Sequence, residues 1–272
     1  MSLTELFAHD FMLYALAAVV LLMPVFGMLG TVVVSGRMAF LSDAIGHSAF
    51  TGVAVGAIFG IVFPTLSAAA FSVLFAVGIT YMKRHSGESA DTVIGVFSSA
   101  AVALGIVLLS LNGGLANYST LLTGNILAIG PYELLGIAVL LVCTIIFWAL
   151  LFDKLVVTSV SPSLARSRGT NTVLTETLFA ALVAVVVTVS VRWVGLLIIN
   201  SMLVLPAGAA RNAARNLREY NVLSIFFALF SGVTGLILSF LLNCATGAMI
   251  ALVAAGLYLL AYILRGRRRV TG

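Results

Sequence analysis

The chain has 272 residues, of which 62% are hydrophobic and only 8% charged, with a mean hydropathy of +1.21. A soluble domain needs about a quarter of its residues charged to cover its surface, so this composition excludes one and turns the outer surface toward lipid. The net charge of +5 makes no case for nucleic acid; in a membrane chain what matters is where the basic residues fall.

A helical span takes about 20 apolar residues, so the length accommodates roughly eight to ten spans in a single transmembrane domain over residues 1–272. The first ten residues carry Glu5 and Asp10 and no basic stretch, and no cleavable signal peptide is expected there. Apolar runs broken by charged or Gly, Pro and Asn clusters place spans near 11–34, 39–60, 63–82, 92–111, 132–152, 173–190, 194–210, 220–242 and 246–264. Segment 115–130 is shorter, lies between Asn112-Gly113-Gly114 and Gly130-Pro131, and reads as a partial or re-entrant helix. The predicted fold is all-α: a polytopic integral membrane bundle of eight or nine transmembrane helices plus a short re-entrant helix. The count turns on whether 194–210 crosses fully.

With nine spans and an external N-terminus, every Lys and Arg except Arg192 falls on the cytoplasmic side, the C-terminus with them. Eight spans would move one terminus across. The connection 153–171 holds Ser161-Pro162-Ser163 and ends near Gly169. Pro162 suits the first turn of a short helix and Gly169 its C-terminal cap. A short helix on the cytoplasmic face is what a membrane subunit would offer a soluble partner, but the residues alone favour an ordinary loop.

The few polar groups can be taken one by one. Cys143 and Cys244 stand alone in or beside apolar spans and read as small buried hydrophobes rather than a disulfide or thiolate site. Asp91, Glu133 and Glu176 read as first-turn carboxylates that complement a helix dipole. Asp43 and His47 are different, because they lie inside the second span. Counted from Arg37 at 1.5 Å per residue, Asp43 is roughly 9 Å deep and His47 about 15 Å, near the midplane. Spaced i, i+4 they share one helix face. A carboxylate with an imidazole suits a divalent first-row cation such as Zn²⁺ or Mn²⁺. An interior hydrogen-bonded pair is the alternative, and intramembrane ionisable groups favour the ligand reading.

The same helix carries Gly52, Gly56 and Gly60, a small-xxx-small pattern that lets a neighbouring helix approach on the opposite face. Asn200 and Ser201, at mid-span in the run before Pro206, read first as glue between helices and second as candidate pathway lining. No G-x-x-x-x-G-K-[ST] phosphate loop occurs, and the only lysines are Lys83 and Lys154. ATP chemistry by that route is excluded for this chain.

At these residues the sequence resembles the ABC-3 family, the permease subunits of bacterial zinc, manganese and iron importers. The likeness is collinear over nearly the whole chain. It runs from Arg37-Met38-Ala39-Phe40 with Asp43-x-x-x-His47-Ser48-Ala49 and Gly52-Val53-Ala54 to Asp91-Thr92-Val93-Ile94-Gly95 and Thr123-Gly124-Asn125-Ile126-Leu127-Ala128. It continues through Ser161-Pro162-Ser163-Leu164-Ala165 with Gly169, then Val194-Gly195-Leu196-Leu197-Ile198 through Pro206-Ala207 to Arg211.

The resemblance implies a homodimeric permease in the bacterial cytoplasmic (inner) membrane. It implies a pair of cytoplasmic ATPase subunits and an extracytoplasmic metal-binding protein that delivers cargo. It makes Ser161, Pro162, Leu164, Ala165 and Gly169 the ATPase-coupling segment, and Asp43 and His47 ligands of the passing ion. No permanently bound cofactor is expected, only transported Zn²⁺ or Mn²⁺, with Fe²⁺ open. Where many members carry an acidic residue after the glycine, this chain has Asn125. The permease would not itself be an enzyme. Its principal rival is a proton-coupled secondary transporter with Asp43 and His47 as relay; a membrane scaffold would be indifferent to both residues.

Overall fold

The structure is a computed structural model that describes residues 10–61, 63–111, 124 and 126–270. The Asn125 position and most of the 115–130 segment read as re-entrant lie outside the described residues. Of that segment, Ile126–Ala128 forms one turn of 3₁₀ helix.

The apolar runs become helices, and proline or a polar cap sets many of their starts. In chain order they are α1 (Asp10–Ser35), α2 (Ala39–Ile58), α3 (Pro64–His85), α4 (Ala90–Leu111), α5 (Pro131–Val160), α6 (Pro162–Ser167), α7 (Thr172–Val194), α8 (Leu196–Ala213), α9 (Leu217–Leu242) and α10 (Thr246–Val270). No strand occurs among the described residues. Proline opens α3, α5 and α6, where its missing N–H costs nothing. Ser89 Oγ accepts from Thr92 N–H at the start of α4, and Asn216 Oδ1 from Glu219 N–H at the start of α9. Asn243, at φ 50°, closes α9 in the left-handed conformation.

Among the described residues, seven helices are long and apolar enough to cross a membrane: α1, α3, α4, α5, α7, α9 and α10. The other two long helices are α2, with Asp43 and His47, and α8, with Asn200, Ser201 and Arg211. Helix α5 continues to Val160, past the predicted end at 152, so Asp153 and Lys154 are helical rather than in a loop. Cys143 and Cys244 are exposed, not buried. Cys143 lies on α5, whose surface is mostly open, so it faces outward on a lipid-type surface where a thiol is as well tolerated as in a core.

The chain forms two compact units. The first comprises residues 1–34, 124–147 and 193–272; the second comprises 35–123 and 148–192.

In the first unit α8, α9 and α10 pack on one another, and α1 joins them through glycines. A Cβ at Gly27 would sit 2.8 Å from Ile225 Cα, and one at Gly30 would run into the Leu203 carbonyl. Ser224 Oγ donates to the Gly27 carbonyl at 2.7 Å across the same contact. Removing the side chain brings two backbones together, which is how helices gain contact where lipid offers no hydrophobic drive.

In the second unit α2 packs on α3 and α4. A Cβ at Gly52 would stand 2.6 Å from Ala68 Cα, and one at Gly56 would collide with the Ser67 hydroxyl. Ser48 and Ser72 hydroxyls meet at 3.1 Å, and Thr51 Oγ1 donates to the Ala101 carbonyl at 2.6 Å. Gly60 departs from the predicted packing role. It lies beyond the end of α2 at φ +66° with nothing within 4 Å of a would-be Cβ, so it closes the helix instead of seating a neighbour.

Candidate functional site

Helix α2 starts after a turn in which Arg37 takes a left-handed φ of 53° and Met38 occupies the N-cap. Asp43 and His47 follow, one helical turn apart and on one face. His47 Nε2 lies 3.7 Å from Asp43 Oδ2, and the side chains are 26% and 43% exposed. That separation is too long for a hydrogen bond. It is close to the ~3.4 Å between two ligands that each stand about 2.1 Å from a tetrahedral divalent metal. The other ring nitrogen, Nδ1, is buried with no hydrogen-bond partner among the described residues. An orphaned imidazole nitrogen beside a half-open carboxylate is a pair built to accept something more than each other.

No group of three or more His, Cys, Asp or Glu that could hold a metal occurs among the described residues. Two protein ligands are half the set of a closed structural site.

Asn200 and Ser201 lie near the start of α8, in the first unit, and both are half-buried. Asp43 and His47 belong to the second unit.

The 161–169 segment is a helix, not the loop that its residues alone favour. Ser161 caps α6, its Oγ accepting from Leu164 N–H at 3.4 Å, with Pro162 in the first turn. Ala165 is fully buried while Leu164 is exposed, so α6 has one packed and one presented face. Gly169 turns at φ +73°, and Thr170 N–H bonds back to the Ala165 carbonyl at 3.0 Å, closing the end in a Schellman-type turn.

Two arrangements were not legible from sequence. Glu176 is not a first-turn carboxylate. It sits in the second turn of α7, with its Oε2 3.7 Å from Lys83 Nζ and 3.4 Å from Arg84 Nη2. Lys83 and Arg84 stand side by side at the end of α3, which was the available signal, but nothing in the sequence names their partner. Gly124 presses on the Val194–Gly195 backbone so tightly that a Cβ there would overlap it; both glycines have positive φ, +62° and +84°. By contrast Glu133 does what its position predicts, accepting from Gly130 N–H at 3.1 Å at the start of α5.

The sequence from residue 8 to residue 265 matches the family described as the ABC 3 transport family. This chain belongs to the ABC 3 transport family. Within it, the manganese import system permease protein ScaB of Streptococcus gordonii is 32% identical over 268 residues, covering 96% of this chain and 94% of that protein. The high-affinity zinc uptake system membrane protein ZnuB of Haemophilus influenzae is 32% identical over 247 residues, covering 88% and 92%. Among solved structures, PsaBC from Streptococcus pneumoniae in complex with Fab superposes with a TM-score of 0.83 at 30% identity, over 95% of this chain and 93% of that one. Membership in a transport family and seven apolar helices make this ABC 3 chain a membrane protein.

Proposed function

We propose that this ABC 3 chain is the permease of an ATP-binding-cassette importer that carries manganese or zinc through a path on which Asp43 and His47 hold the ion. The observation that carries the reading is the Asp43–His47 pair, a carboxylate and an imidazole 3.7 Å apart on one face of α2. Relatives named for manganese import and for zinc uptake support the class of cargo. The two ions share this ligand chemistry, so the pair alone does not rank them.

Two chains form the permease, so that two such pairs complete one weak site near the shared axis. An extracytoplasmic binding protein delivers the ion, and a separate ATPase acts on α6 from the cytoplasm. The chain sits in the bacterial inner membrane with its basic C-terminus inside and with nine spans, α2 and α8 included, or eight where α8 is re-entrant. Asn200 and Ser201 contribute polar lining along the same route.

The test is elemental analysis of cells that lack their own importers. They would carry this chain with its ATPase and binding protein, then with the ATPase inactivated, then with Asp43→Ala or His47→Ala. Accumulation of one metal that disappears in each disabled set establishes the reading and identifies the cargo. Accumulation that survives ATPase inactivation overturns it in favour of proton coupling.

A further inference from the structure

The second unit contains both α6 and the ion-holding helix α2, and a chain of contacts joins them. The link from α6 to α7 has little slack. The Schellman-type turn closes α6 at Gly169, and two residues later Asn171 Oδ1 accepts from Leu174 N–H at 3.1 Å to cap α7. A displacement of α6 must therefore move the start of α7.

Between α7 and α3 the structure is different. An open cavity separates them, lined by Val77, Tyr81 and His85 of α3 and by Val173 and Thr177 of α7. Glu176 bridges that gap to Lys83 and Arg84, and Arg84 Nη2 also reaches Thr172 Oγ1 at 3.5 Å. The three charged side chains are partly buried, at 20–27% exposure, where water screens the attraction less than at a free surface. On its far side, Lys83 Nζ lies 4.0 Å from Sδ of Met38, the N-cap of α2. Helix α3 is in turn seated on α2 through Gly52 and Ala68. Asp43 stands just over one turn beyond Met38.

We propose that Glu176, with Lys83 and Arg84, is the strap that transmits movement of α6 and α7 to the helix holding the ion. These are positioning residues; none touches the cargo. The proposal rests on the importer reading and adds the residues through which ATP hydrolysis is felt at Asp43 and His47. A packed interface between α3 and α7 would transmit by contact alone. With a cavity there, the ion pair is the tie, and cutting it should leave two halves that each work without driving the other.

The experiment is ATP hydrolysis and ion import measured together in liposomes, using the permease assembled with its ATPase and binding protein and supplied with Mn²⁺ or Zn²⁺. In Glu176→Gln, which keeps shape and loses charge, ATP hydrolysed per ion imported should rise about 3- to 10-fold, the scale of a coupling residue remote from both sites. Glu176→Asp should restore most of the ratio. The melting temperature and the yield of the assembled complex report whether the variant is merely unfolded, and a folded Arg84→Gln variant gives the same ratio test independently. A ratio equal to wild type in folded Glu176→Gln and Arg84→Gln, or equal losses of hydrolysis and import, overturns the strap. A wild-type complex that imports neither ion overturns the importer reading itself, so the two failures are distinct.

Discussion

The two units hold themselves together in different ways. In the first, the span of α1 is 72% buried, and its contacts are glycines against backbone and hydroxyls against carbonyls. Tyr220, for instance, donates to the Thr31 carbonyl at 3.3 Å and Ser224 to that of Gly27. In the second, α2 seats on α3 and α4 through contacts of the same kind, but α7 is tied to α3 across a cavity by the ion pairs of Glu176 with Lys83 and Arg84. Glycine-to-backbone contact is dense, short-ranged and hard to rearrange. Ion pairs across a cavity can lengthen and reform. The difference points to the first unit as scaffold and to the α3–α7 seam of the second as the place where movement is easiest, and it can be broken from either side.

The largest effect is expected on transport with none on the fold. Outer-shell partners of a metal ligand alone cost 10- to 100-fold, so Asp43→Ala or His47→Ala should lower import on the order of a hundredfold. Both positions are partly exposed, so the melting temperature in detergent should stay within a degree or two of wild type. Retained import would remove the pair from the path, and a large drop in melting temperature would make it structural. The converse is expected at Gly124 in the first unit. Gly124→Ala combines a left-handed φ with overlap on the Val194–Gly195 backbone, and should destabilise by about 2–4 kcal/mol. Its signature is loss of folded protein, with any surviving fraction still importing. A stable Gly124→Ala protein would refute the rigid-scaffold assignment.

These outcomes also show how far the sequence could be read. The spans were legible because apolar runs bounded by Pro64, Pro131 and Asn243 leave little choice of where a helix starts or stops. The Asp43–His47 pair was legible because both members lie on one helix, where spacing fixes the shared face. Glu176 was not, since its partners are on another helix and its position near the start of α7 offered a sufficient local explanation. Gly124 and Gly195 stand out as glycines in sequence, but only the fold makes them neighbours. Cys143 failed for another reason: a lipid-facing surface and a protein core ask for the same residues, so composition cannot tell outward from inward. The loop reading of 161–169 fell because Ala165 is buried and Ser161 supplies a cap, and burial is tertiary information.

Gly60 gives the finest cut, because it failed by a single step of an otherwise correct pattern. Three glycines at four-residue spacing predicted one packing face, but α2 ends at Ile58 and the third glycine is spent on the turn. Gly52 and Gly60 thus separate two reasons for glycine that usually occur together. Gly52 has helical backbone and no room, with Ala68 Cα 2.6 Å from a would-be Cβ. Gly60 has room and a left-handed backbone. Gly52→Ala should therefore cost about 1–3 kcal/mol through forced separation of α2 from α3. Gly60→Ala should cost only about 1–2 kcal/mol, through backbone strain alone. The distinguishing measurement is the second substitution: Asn, which tolerates the left-handed region, should recover part of the loss at Gly60 and make matters worse at Gly52. Equal responses to Ala and Asn at the two positions would mean that α2 continues through Gly60 and that the three-glycine face is real.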